Sequence, residues 1–242
     1  MNPASRLRRL ARGTLGALPS LAGALGAVLI GVGSVVYFVD EQPPFLVEKL
    51  PLARADLWLL AVRVHVVSAV IALPACLLLA WPLLVRRAPA AHRWLGRTTG
   101  VLVLGGAVPS GFYLAAFARG GLAGTLGFWL SGLITAVAMA EAIRRARSGE
   151  VARHRRAASH VLAQLSVAVT SRTMLFAMGL AGWDSDRAYL VSLWVPVVAS
   201  ALVVEAWRRP AFRYGEPRRD HETNRNPRRA VRRLADVGVA AR

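Results

Sequence analysis

The sequence predicts an all-α integral membrane bundle of six transmembrane helices with both N- and C-termini cytoplasmic. Three observations predict it. Apolar residues make up 55% of the 242-residue chain and charged residues only 18%, a balance outside that of ordinary soluble domains. The apolar residues gather in long uncharged runs, each long enough to cross ~30 Å of hydrocarbon as a helix. Lys and Arg fall in alternate connections: 25 of the 31 lie in segments predicted inside and 4 in segments predicted outside, with Arg63 and Arg172 the other two. That asymmetry orients membrane helices. It also explains the net charge of +18 without a nucleic-acid partner, because the positive-inside rule predicts basic residues in alternate connections. The expected partners are membrane lipids.

Residues 1–12 are a basic cytosolic N-terminus with Arg6, Arg8, Arg9 and Arg12, followed by the first span, 13–39. The run is too long, with too many spans behind it, for a cleaved signal peptide, so it reads as a retained helix. Gly23, Ala27 and Gly31 recur every four residues, a small-residue face that lets another helix approach closely. Such faces are compatible with a homo-oligomer. The connection 40–56, with Pro43, Pro44 and Pro51, lies outside. The second span, 57–85, carries Arg63 and His65, and Pro74 is expected to kink it.

A basic inside loop follows, with HRWLGR at His92 to Arg97. The third span, 98–118, has Pro109, Ser110 and Tyr113 in its outer half, and a turn at Arg119 to Gly121 returns the chain at once. The fourth span, 121–141, places Ala123, Gly127, Ser131 and Thr135 on one small, mildly polar face. The most basic loop, Arg144 to Arg156, leads into the fifth span, 158–182, and a short outer turn with Trp183, Asp184 and Asp186 precedes the sixth, 188–207. Residues 13–207 thus form the transmembrane domain. Residues 208–242 are arginine-rich and poor in apolar side chains, the composition of a disordered cytosolic tail.

The polar residues inside the spans are the candidates for chemistry. At 1.5 Å per residue, His65 lies about 10 Å and Arg172 about 15 Å in from the outer boundary. A charge at that depth is costly and marks a site by default, and no carboxylate shares the depth. Arg172, His65, Tyr113 and Thr170 therefore make a candidate ligand site for carboxylate, phosphate or quinone oxygens. His92, His154 and His160 cluster near the cytosolic edge and raise an alternative, a b-type haem clamped by two imidazoles or a metal held with Glu141. Apart from that haem alternative no cofactor is expected. Cys76 is alone, which excludes an intrachain disulfide and any multi-cysteine metal site. No phosphate loop, nucleophile elbow or paired-carboxylate site occurs, so no catalytic residue and no reaction are assigned.

The stretch from His65 to Arg172 resembles the bacterial membrane-protein family catalogued as domain of unknown function 2306. The resemblance rests on HRxxGR at His92, Arg93, Gly96 and Arg97, on Gly127-Phe128, and on HRR at His154 to Arg156 continuing to Thr170 and Arg172. The family pattern has tryptophan and methionine where this chain has Ala157 and Ala158, an arginine at His160 and a leucine at Ser171. The resemblance implies a shared membrane fold and supplies no activity. The expectation is a multi-pass protein of the bacterial cytoplasmic membrane that binds or transports a small anionic or lipid-like ligand at the Arg172 and His65 site, the alternative being a haem or quinone redox protein.

Overall fold

Every regular element is a helix among the residues described by this computed structural model, 23–40 and 52–207. Lipid imposes this, because hydrocarbon offers no partner to backbone N–H and C=O groups and each crossing segment must pair its own. Helix α1 covers Gly23–Val39 with a turn at Ser34 and Val35, α2 Ala55–Ala80, α3 Pro82–Arg87 and α4 Pro89–Ala115. Then come α5, Gly121–Arg147, α6, Val151–Leu180, and α7, Ser185–Trp207. Five of these, α2 and α4 to α7, are long and apolar enough to cross a membrane, and α1 is a shorter apolar helix. The start of the expected first span at 13–22, the N-terminal arginines, the prolines of the first outer loop and the tail from 208 lie outside the described residues.

The helices outrun the expected spans where the arginines begin. HRWLGR is helical and not a loop, since α4 starts at Pro89, where proline is preorganised for the first helical position. Helix α5 continues past Glu141 to Arg147 and α6 starts at Val151. Hydropathy marks the edge of the hydrocarbon, whereas arginine remains a good helix former and is favoured in a last turn. The second span does the reverse. It passes unbroken through Pro74 but stops at Ala80, because Trp81 is extended (φ −76°, ψ 119°), the conformation favoured before a proline such as Pro82.

The interior is built from small residues. Ala72, Ala75, Ala107, Ala138, Ala142 and Ala157 are buried, while Leu29, Val101, Leu122, Phe176 and Leu180 are exposed. With lipid tails as apolar as leucine, helices gain by close packing and not by hiding large side chains. On α1, Ala27 is buried and Gly23 and Gly31 lie against Leu77 and Val70 of α2. The face of α5 meets α6 and α7: Trp194 Nε1 donates to the Ala123 carbonyl at 3.2 Å, and a Cβ on Gly127 would fall 2.7 Å from Leu193 Cδ2. The α4–α5 turn depends on glycine at Gly120 (φ +83°), where a Cβ would also meet Leu190 at 2.7 Å.

Overpacking at such a contact costs about 1–3 kcal/mol. Gly127→Val is therefore expected to lower the thermal midpoint of the purified protein. Gly179→Ala, at a helical glycine with no neighbour within 4 Å, should leave it unchanged or raise it.

Candidate functional site

Five helices bring polar groups together in the half of the bundle nearer the α1–α2 and α6–α7 connections. On α2, His65 Nδ1 lies 2.9 Å from the Ala107 carbonyl of α4. A carbonyl only accepts, so Nδ1 carries a proton, and in the neutral form of the ring the lone pair lies on Nε2. Residues Leu102–Ala107 form a π-turn in which Val108 N–H reaches back to the Val103 carbonyl, and Pro109 brings no N–H. Ser110 Oγ donates to the Gly106 carbonyl at 2.6 Å and lies 3.3 Å from His65 Nδ1. Gly111 lets the two helices close, since a Cβ there would sit 3.1 Å from His65 Cε1.

Arg172 of α6 lies within electrostatic reach of His65 and of the phenols of Tyr37 on α1 and Tyr189 on α7. Its Nη1 donates to the Ala168 carbonyl of its own helix at 2.9 Å. Arg63 Nε donates to the Tyr37 carbonyl at 2.7 Å, so it is tied to α1, while Asp56 is 3.6 Å from Arg54. Among the described residues neither Arg63 nor Arg172 forms an ion pair. The side chain of Arg172 is exposed on the bundle surface, open to whatever occupies that surface. An open hollow of about 290 Å³ borders Arg63 and Ser68.

The other two expected members stand apart. Tyr113 packs with Phe117 (ring centroids 5.3 Å) against buried Trp58 and Val62. Thr170 is exposed, its Oγ1 3.2 Å from the Ser166 carbonyl one turn back. Ser34, Thr99, Thr135, Ser166 and Thr173 bond in the same way to the carbonyl four residues earlier, which satisfies a hydroxyl without leaving the helix.

At the opposite end the histidines separate. His154 Nδ1 lies 2.9 Å from the Ala142 carbonyl and His92 is within electrostatic reach of His154, but His160 Nε2 is 2.8 Å from Glu205 of α7. Glu205 also binds Arg156. The sequence suggests only an ordinary helix-end role for Glu205, and its cross-helix partners are new information. Its signal was its isolation: no other acid lies within the last span. Glu141 is held by Arg144 and Arg145, and Arg145 bridges on to Glu150 at 2.5 Å. Among the described residues no group of three His, Cys, Asp or Glu side chains gathers as metal ligands. Gln164, only 3% exposed, accepts from Ser131 at 2.9 Å and donates to the Val197 carbonyl at 3.1 Å and to Ser200 at 3.0 Å, joining α5, α6 and α7.

Two outcomes are expected. Gln164→Leu strands Ser131 and a carbonyl in the interior and should destabilise by about 1–3 kcal/mol in chemical denaturation. The Arg145 guanidinium holds the Glu150 carboxyl below its ordinary value of 4.5. A carboxyl depressed on folding adds stability above its unfolded value, lost as pH falls through the folded one. Melting curves of wild type and Glu150→Gln should therefore differ near neutrality and converge below pH 4.5.

No curated protein and no solved structure matches the chain. A family model described as "Predicted membrane protein (DUF2306)" matches residues 62–208, from the middle of α2 through all of α7, beyond the stretch that carried the resemblance. With more than half of its length matched, the chain belongs to this family of membrane proteins of unknown function.

Proposed function

We propose that the protein is a multi-pass protein of the bacterial cytoplasmic membrane, with six spans and both termini inside, that binds an apolar ligand bearing an anionic or carbonyl oxygen head at Arg172 and His65. One observation carries the reading. Arg172 and Arg63 share one half of the bundle, with His65 beside them and no ion-paired carboxylate among the described residues. A guanidinium facing hydrocarbon must be solvated by carbonyls, hydroxyls, water or an anion. Only one hydrogen bond of Arg172, to its own helix, is satisfied among the described residues, so most of its donor fork is open to ligand oxygens. Neutral His65 offers a lone pair for a hydroxyl. Binding and transport both follow from such a site, and no group here is assigned a bond-breaking step.

A charged hydrogen bond is worth about 1.5–3 kcal/mol, or roughly 10- to 100-fold in affinity. Titration of the purified protein with decylubiquinone and with oleate should give a ligand-dependent rise in thermal midpoint. Arg172→Gln should weaken it at least tenfold, and Arg172→Lys less. A folded Arg172→Gln protein that responds to both probes as wild type does would rule the site out.

A second reading is favoured by the histidines at the other end. A carbonyl bound at Nδ1 orients an imidazole with Nε2 outward, as in ligating histidines. His154 has that arrangement, and the Nδ1 of nearby His92 is buried with no hydrogen-bond partner among the described residues. Two imidazoles so placed suit a b-type haem. The protein would then show a Soret band that His92→Ala or His154→Ala removes and His160→Ala preserves. A colourless preparation from haem-replete cells would sink this reading.

A further inference from the structure

A groove of about 540 Å³ opens between α5, α6 and α7 at the arginine-rich end of the bundle. It changes character along its length. Leu133 and Val137 form one wall and are 54% and 60% exposed, whereas Glu141, Arg145, Arg153 and Arg156 form the other end. Leu133 and Arg145 are separated by about 18 Å of helix rise. The groove therefore runs from the charged end of the helices into the part that faces hydrocarbon.

The charges in it are not balanced. Between Glu141 and Arg156 the chain has six arginines and two glutamates, and Glu205 of α7 adds a third acid. Arg145 is locked between Glu141 and Glu150. Arg153 and Arg156 differ. Each pairs with a single glutamate, Glu150 and Glu205 respectively, and their side chains remain 66% and 58% exposed. An arginine fork with donors to spare suits phosphate oxygens, and the apolar wall beside it suits an acyl chain.

We propose that this groove is a binding site for an anionic phospholipid of the adjoining leaflet. The phosphate is held by Arg153 and Arg156 and an acyl chain lies along Leu133 and Val137. The site is separate from the one at Arg172. Its occupant links α5, α6 and α7 from outside at the level where Arg156, His160 and Glu205 link α6 and α7 from within.

The test uses the full chain purified in a neutral detergent and titrated with phosphatidylglycerol, phosphatidylcholine of the same acyl chains, or inorganic phosphate, with thermal midpoint and lipid retention in native mass spectrometry as readouts. Phosphatidylglycerol is expected to bind at least fivefold more tightly than phosphatidylcholine, and phosphate alone to have no effect. Arg153→Gln/Arg156→Gln should abolish the preference. If the double variant does not fold, Arg153→Gln, which leaves the Arg156, His160 and Glu205 contacts in place, should lower the preference at least twofold, and Val137→Asn should weaken retention of both lipids. Equal binding of the two lipids overturns the proposal, as does stabilisation by phosphate alone. A preference that survives in the folded double variant, or, where that variant does not fold, undiminished in Arg153→Gln, also overturns it, because that is the response of general attraction between anionic lipid and the chain's +18 charge.

Discussion

Hydrocarbon does not solvate charges or unpaired backbone groups, and the arrangement of this protein follows from that constraint. The backbone pairs within helices. Arginines collect at helix ends, where α5 and α6 carry six of them across one connection. Hydroxyls inside the spans turn back to their own carbonyls. Where one amide is fully buried, at Gln164, its oxygen and nitrogen both find partners on neighbouring helices. Large apolar side chains are left outward at no cost, and alanine and glycine bring the helices together.

The same constraint explains what was legible in the sequence. Uncharged runs and arginine-rich breaks mark the spans because hydropathy measures the environment directly. The Gly120–Gly121 turn and the face from Ala123 to Thr135 are legible because they depend on local geometry. Helix ends are less legible: the expected span stops at Glu141, but the helix runs on through Arg144 and Arg145 to Arg147. Cross-helix partnerships are not legible at all, since they depend on how helices rotate against each other. Glu205 meets His160 and Arg156 for that reason, and Tyr113 meets Trp58 and Val62. The π-turn at Leu102–Ala107 was foreshadowed only by the Gly/Pro content of residues 105–111.

Two polar centres result, at opposite ends of the bundle, with different chemistry. Near the α1–α2 connection, Arg63 and Arg172 form no ion pair among the described residues, and a histidine beside them is tied through Nδ1 to Ala107. Near the α5–α6 connection, arginines and glutamates interlock and leave surplus positive charge along a groove. On the proposed reading the first centre meets a ligand that brings its own negative or electron-rich oxygen, and the second meets the membrane surface. Both are parts of one sorting of charge by depth, and both assume the orientation that the arginines impose.

That orientation is directly measurable. In a Cys76→Ser background, Ser148→Cys in the α5–α6 connection and Trp183→Cys in the α6–α7 connection each present one exposed thiol to a membrane-impermeant reagent. In intact spheroplasts the cysteine at 183 should label and the cysteine at 148 should label only after permeabilisation. Labelling of both from one side, or the reverse pattern, would contradict the assignment of the arginine-rich end to the cytosol and the placement of both sites with it.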